Sequence, residues 1–503
     1  MSETTRKSTD LRRWIALAVL MLPVLLVSID GTVVNLALPM ISLEFSSSGT
    51  LLLWIIDAYS LVLAGLLVTM GSLADRFGRR RMLLIGASGF ALMSVGAAFS
   101  PTGLTLVFFR AALGFFGAML MPATLSIIRN MFTDRSERRL ALAIWAASFS
   151  AGAALGPVVG GILLQYFSWH SVFLIAVPLL VPMLILTPIF VPESKDPQPG
   201  PVSILNVVLS MATLTPAVYA IKTIATEGFT PLSVGALVVA LIAGVWFVYR
   251  QLHSTAPMLD IRLFSSRFFS GSVLTNLFIV FSMVGFLYYA SQHLQLVERL
   301  DPIHAGLTLL PGTVVMMVSG IGVVSVAKRV PVNRIISVSV LIAAISFGLL
   351  AAFGVGASPL LVGGVFALLA LGTGPAETLT NDAIVSAVPA HKAGAASAIS
   401  ETAYEVGAVL GTAVLGTASV ATYRSNVALP QGLSPAQRLE AGETLGGAVS
   451  VADTLPAADA NSLLASAYQA FDLGVVAIGV MGAVIMGIAA VASWILLRRP
   501  KTQ

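Results

Sequence analysis

Runs of about 20 apolar and small residues, separated by short polar joins, follow one another along the whole chain. About 20 such residues cross the hydrocarbon core of a bilayer. By that measure the pattern predicts spans at 14–39, 50–72, 82–100, 104–128, 140–163, 170–190, 202–223, 231–251, 268–292, 304–327, 335–354, 359–381, 393–421 and 472–497, fourteen in all. The joins around 191–201 and 252–267 are longer, and 422–471 is a polar segment. Within it, Ser434-Pro435 pairs an N-capping residue with proline at the first helical position, and a second run begins near Ala457. A short helical hairpin leading into the last span is expected there. The first apolar run follows basic residues but is too long for a signal peptide, so it is read as a retained span.

Composition places the chain in the same class. Of its 503 residues 57% are hydrophobic and 10% charged, against about 25% charged in a soluble domain. There is no cysteine, which excludes disulfides and thiolate chemistry, and the five histidines are scattered, so no metal site is expected. No phosphate-binding glycine loop with its lysine is present, and no cofactor is expected. If the N-terminus lies in the cytoplasm, the 28 Lys and Arg residues fall on cytoplasmic joins, apart from Lys222, Arg299, Arg424, Arg438 and the intramembrane Arg110. This positive-inside asymmetry predicts cytoplasmic termini and an external 422–471 segment. The net charge of +5 therefore reports topology, and no nucleic-acid partner is called for.

Against this background the acids at membrane depth stand out: Asp30, Asp57, Glu377, Asp382, Glu401 and Glu405. Ionisable groups in the hydrocarbon are costly unless they face protein or water, which marks them as functional candidates. Glu401 and Glu405, in "AISETAYEVGAVLG", lie one helical turn apart on one face. Two crowded carboxylates resist being ionised together, so such a pair can hold a proton and release it when a cation arrives or water enters. Asp30, in "SIDGTVVNLALP", is deep in the first span, and Asp57, in "WIIDAYSLVLAG", is two turns into the second. Neither has a basic residue nearby in sequence. Glu377 and Asp382 follow Gly374-Pro375 and read as interfacial or gate residues. Arg110 needs a carboxylate or several carbonyls. Trp54, Phe286, Tyr288, Tyr289 and Tyr404 are candidate cavity aromatics, since a ring face attracts a cation.

Two further motifs concern packing. "GSLADRFGRRR" joins the second and third spans: Gly71 and Gly78 permit close approach, Asp75 can cap the following helix, and Arg76, Arg79, Arg80 and Arg81 can anchor to anionic headgroups. "GAALGPVVGG" aligns Gly152, Gly156 and Gly160 on one stripe beside Pro157, and Gly407 and Gly411 repeat the spacing. Such stripes favour tight helix contact, here where a rocking interface is expected.

Together these stretches resemble the major facilitator superfamily, specifically its fourteen-helix drug:proton antiporters. "GSLADRFGRRR" looks like the loop motif between helices 2 and 3, "FFRAALGFFGA" like the helix 4 motif, "GAALGPVVGG" like the antiporter motif and "DGTVVNLALP" like the helix 1 motif of that class. "SAISETAYEVG" is similar to members exporting quaternary ammonium compounds, dyes and fluoroquinolones. Leu113 stands where helix 4 usually has glutamine, and Ser400 where some relatives carry another acid.

The resemblance implies an all-α polytopic membrane protein with two six-helix bundles (14–190 and 268–497), two inserted helices within 191–267 and an external hairpin. It implies acids at Asp30, Asp57, Glu401 and Glu405 that bind protons and cationic or lipophilic drugs, with membrane lipids as surroundings. The expected protein is a proton-driven efflux pump of the inner membrane, working as a monomer. Two rivals remain open: a proton-coupled exporter of one metabolite, peptide or siderophore, and a non-transporting membrane sensor. An enzyme is not expected, because the acids are not paired with histidine and no nucleophile–base set is present.

Overall fold

The computed structural model describes residues 3–45, 49–197, 203–254, 257 and 259–497. Their regular structure is helical: α1 (Glu3–Phe45), α2 (Gly49–Phe77), α3 (Arg79–Ala98), α4 (Gly103–Met131), α5 (Arg135–Tyr166), α6 (His170–Leu174), α7 (Ala176–Phe190), α8 (Ile204–Glu227), α9 (Pro231–His253), α10 (Arg267–Gln292), α11 (Pro302–Val326), α12 (Val332–Phe353), α13 (Pro359–Ser386), α14 (Ala393–Asn426), α15 (Pro435–Glu443), α16 (Leu445–Ala452) and α17 (Ala457–Leu496). Helix starts follow local chemistry. Thr230-Pro231, Asp301-Pro302, Ser358-Pro359 and Ser434-Pro435 each join a side-chain cap to proline at the first turn. Asp134 caps α5, and the amide of Glu137 bonded to its carboxylate holds that acid below its ordinary pKa.

Twelve helices among the described residues are long and apolar enough to cross a membrane. Of the fourteen expected segments, α5 and α8 are helical but fall outside that set. Residues 422–471 contain the two short helices α15 and α16 and the first turns of α17.

Two cores organise the packing. Buried residues of α1 to α7 form one, with Phe90, Phe132, Trp145 and Phe173 among its large side chains. Buried residues of α10 to α17 form the other, around Phe286, Tyr289, Phe347 and Phe471. Helices α8 and α9 pack on each other, and α8 leans on α2 and α14. The two halves meet where α5 packs on α11 and α2 on α14. At the second crossing Gly71 lies against Gly394: a Cβ on Gly71 would stand 2.6 Å from the Gly394 carbonyl, so only glycine permits the approach.

The glycine stripes pack elsewhere than expected. Gly152 and Gly156 of α5 face Ser28 and Thr32 of α1, and Gly407 and Gly411 of α14 face the carbonyls of Leu277 and Phe281 of α10. They fuse helices within a half, because small residues let backbones touch. Gly160 is buried on the same helix, and the side chain of Pro157 lies outside the described residues.

Candidate functional site

The arginine-bearing ends of the helices form a network that ties the halves together. Helix α2 continues through Asp75 to Phe77 and turns sharply at Gly78, whose φ of 109° favours glycine and whose added Cβ would meet the Glu193 carboxylate at 2.8 Å. Glu193 accepts from the amides of Arg80 and Arg81 at 3.1 Å each and so caps α3, the role the sequence suggests for Asp75. Asp75 instead accepts from the amides of Gly394 (2.9 Å) and Ala395 (3.1 Å), capping α14 in the other half, and from Arg79 Nε at 2.9 Å. An acid fits a helix N-terminus, where the amides are unsatisfied and the dipole is positive. Arg79 is fully buried and also donates to the carbonyls of Ala390 (3.1 Å) and His391 (2.7 Å). It is a tie between halves and no headgroup anchor. Arg80 donates to the Val191 carbonyl at 3.1 Å, and Arg76 lies over the Phe77 ring.

Asp382 of α13 forms the second tie. Its carboxylate takes Arg138 Nε at 3.0 Å and Arg139 Nε at 2.9 Å, with Arg135 at 3.8 Å, all from the first turns of α5. Asp382 thus joins one half to the other and is buried at 2% exposure.

Deeper in, Asp30 and Arg110 pair at 2.8 Å, both buried. Arg110 also donates to the Ile55 carbonyl at 3.0 Å and stands 4.5 Å from the centroid of the Tyr59 ring. Asp30 is therefore not the unpartnered acid its sequence neighbourhood suggests; its base arrives from 80 residues away on α4. The Tyr59 hydroxyl finds no hydrogen-bond partner among the described residues, and its ring lies within electrostatic reach of Asp30, Arg110 and Glu405 alike. Asp57 belongs to α2, but its side chain lies outside the described residues.

The acids of α14 differ. Glu401 is buried at 4% exposure and Glu405 partly open. Among the described residues no ion pair forms at either. Tyr404 between them meets Phe149 of α5 edge-on at 4.7 Å, and Phe149 stacks on Trp145. Just before them, Ser400 donates to Asn381 Oδ1 of α13 and accepts from Asn276 Nδ2 of α10 at 3.3 Å. The uncharged Asn276 and Asn381, with Tyr59, Trp145 and Phe149, complete the surroundings. Polar side chains inside apolar spans signal such partners, yet a search confined to charges passes over them.

Of the other candidate aromatics, Phe286 and Tyr289 are enclosed in the second core: Phe286 stacks on Phe366 at 5.6 Å, and Tyr289 on Phe471 at 6.3 Å. Helix α10 turns them toward α12, α13 and α17. Tyr288 lies against Gly416 of α14, and Trp54 is 45% exposed. An apolar cavity of about 280 Å³ lies behind α14, lined by Val68, Phe247, Leu277, Ile399 and Val406 among others, and none of the acids borders it.

The geometry can now be set against known proteins. Residues 20–412 match the model of the Major Facilitator Superfamily. The chain belongs to this superfamily. It is 52% identical to the multidrug efflux pump LfrA of Mycolicibacterium smegmatis over 99% of this chain and 98% of that one. Identity is 37% to the methyl viologen resistance protein SmvA of Salmonella typhimurium, covering 92% and 93%. It is 32% to the tetracenomycin C resistance and export protein of Streptomyces glaucescens, covering 96% and 91%. The solved structure of the human organic anion transporter MFSD10 (TETRAN) shares the fold, with a TM-score of 0.59 at 13% identity over 94% of this chain and 99% of that one. The superfamily member described here is thus a multi-pass helical membrane protein and a transporter rather than an enzyme.

Proposed function

We propose that the chain is a proton-coupled antiporter that exports lipophilic, mostly cationic drugs by alternating access. The observation that carries this reading is the contrast on α14: Glu401 and Glu405 sit inside the protein, flanked by Tyr404, with no ion-pairing base among the described residues. A carboxylate pair of that kind exchanges a proton for a cation, and an aromatic beside it adds cation–π attraction of about 0.5–2 kcal/mol. The multidrug, methyl viologen and tetracenomycin C names of the relatives support small-molecule drugs as cargo.

In the proposed cycle the two halves are six-helix bundles that rock about a midplane site. Helices α5 and α8 complete fourteen spans, with α8 and α9 as the inserted pair and 422–471 as an external hairpin. Both termini are cytoplasmic, in the inner membrane, and the monomer is the working unit, driven by the proton gradient without a cofactor. The ties at Asp75 and Asp382 then close the cytoplasmic side. Asp30 holds Arg110 and Tyr59 in position, and Asp57 is a further acid of the first half.

Inverted vesicles test this. A proton gradient should drive uptake of ethidium and of chemically distinct cations, and collapse of the gradient should stop it even with ATP abundant. Glu401→Gln and Glu405→Gln should each remove most of the driven uptake while the protein stays in the membrane. Uptake that survives both substitutions refutes the site.

A further inference from the structure

One more acid is buried in the interior outside any ion pair among the described residues. Glu377 lies in the middle of α13, where every residue from Thr373 to Asp382 is buried. Its side chain is 1% exposed, and Oε1 has no hydrogen-bond partner among the described residues. The sequence suggests an interfacial place because Gly374-Pro375 comes just before it. Helix α13 runs through that proline to Ser386, and Glu377 ends up inside the protein.

Its neighbours define what it can do. One turn on, Asn381 occupies the same face and accepts from Ser400, the residue before Glu401. Glu377 and Glu401 are within electrostatic reach of each other, and Tyr404 is within reach of Glu377, Glu401 and Glu405. Among the described residues no base forms an ion pair with Glu377. Helix α10 carries Arg267 alone, at its first position; α11 carries only His304, in its first turn; and α12 carries Arg334 near its start. On α5, Arg135, Arg138 and Arg139 are engaged by Asp382; on α4, Arg129 donates to the Val385 carbonyl of α13; and on α14 the basic residue is Arg424, in the last turn.

An ionised carboxylate enclosed this way lacks compensating contacts, while a protonated one is neutral and far cheaper to bury. The enclosure also leaves no room for a bulky organic cation. Glu405, by contrast, is partly open and shares its surroundings with the rings of Tyr59 and Tyr404.

We propose that Glu377 is a proton-binding site separate from the substrate site, one that the cation does not touch. It is protonated in the enclosed state seen here. In the step proposed, when the halves open to the cytoplasm the Glu377 O–H bond breaks and its proton leaves to water, leaving a carboxylate. When they open to the other side and the cargo has left, that carboxylate takes a proton from water and is neutral again before it is enclosed. One proton thus crosses in each cycle, while Glu401 and Glu405 exchange proton for cation at the cargo site. The site rests on the transport reading given above, but its tests separate the two.

In vesicles holding the full chain, Glu377→Gln should lower gradient-driven ethidium uptake at least tenfold. Counterflow, which exchanges labelled for unlabelled substrate without moving protons, should stay within about twofold of wild type. Glu377→Asp, which restores a carboxyl, should recover most of the driven uptake. Unchanged driven uptake in Glu377→Gln overturns the proposal, and so does loss of counterflow in parallel, which would mark a structural role. If Glu401→Gln and Glu405→Gln also keep driven uptake, the transport reading itself has failed. If they lose it and Glu377→Gln does not, only the present proposal has failed. A test on the unaltered protein does not depend on a variant folding. A lipophilic carbodiimide, which reacts with protonated carboxyls, should label the Glu377 peptide, and label should fall as pH rises. Absence of that adduct under conditions that label Glu401 overturns the proposal.

Discussion

The arginine-bearing face and the middle of the protein use acids in opposite ways. At the face, Asp75 is paired with Arg79, and Asp382 with Arg138 and Arg139. In the middle, Asp30 is paired in the same way with Arg110, whereas Glu377, Glu401 and Glu405 have no ion pair among the described residues. A matched pair is a fixed object, since breaking it strands a charge out of water. An unmatched acid can change its protonation without stranding a partner. The difference separates groups that hold a conformation from groups that turn over during transport.

Breaking a matched pair in the interior should have the largest effect. Arg110→Ala strands Asp30 and removes the contact with Tyr59, at a cost of about 3–5 kcal/mol. Little folded protein should reach the membrane, and the Asp30→Asn, Arg110→Gln double variant should recover part of it; immunoblotting of membrane fractions reads both.

Next come the unmatched acids. Glu401→Gln and Glu405→Gln should leave the amount of protein unchanged and lower driven uptake about tenfold or more. Asp30→Asn sharpens the contrast, because a neutralised acid offers no extra attraction to a second positive charge. Because it leaves Arg110 unmatched, it should also lower the amount of protein in the membrane; per protein present, it should reduce uptake of monocations and of a dication such as methyl viologen by the same factor, and a selective loss of the dication would return Asp30 to the cargo site.

The face should respond more mildly. Asp382→Asn releases three arginines of α5 and should favour opening on that side. A Ser397→Cys probe in this cysteine-free chain, buried in the first turns of α14, should then react with a water-soluble maleimide several-fold faster. An unchanged rate would mean that Asp382 closes nothing. The smallest effect belongs to Tyr404→Leu, which removes a ring worth about 0.5–2 kcal/mol to a cation. Its apparent affinity for ethidium should weaken a few-fold, while a neutral lipophilic cargo should be little affected.

How far the sequence reveals this arrangement depends on the range of each interaction. Helix positions and caps are local, so Thr230-Pro231, Asp301-Pro302 and Ser434-Pro435 mark real helix starts. Glu401 and Glu405 are legible for the same reason, as charges one turn apart in an apolar run. Asp30 and Arg110 are 80 residues apart, and only the packing of α1 with α4 brings them together. Asp75 is ambiguous locally, since it precedes α3 and nothing nearby announces that Glu193 takes that helix while Asp75 reaches α14. Glu377 is visible as a residue, but after Gly374-Pro375 it reads as interfacial, whereas α13 runs through that proline and encloses it; neighbouring helices sustain a proline in such a segment. Phe286 and Tyr289 show the same limit from another side. An apolar helix with weak amphipathic character does not disclose which of its aromatics face a core.

The central claim is that the acids of α14 trade a proton for a cation, and proton release on binding tests it most directly. Adding tetraphenylphosphonium to purified protein in weakly buffered detergent should release protons in proportion to the cation bound. The Glu401→Gln, Glu405→Gln double variant should release none. Equal release from the double variant, or binding by the unaltered protein with no release at all, would contradict the account.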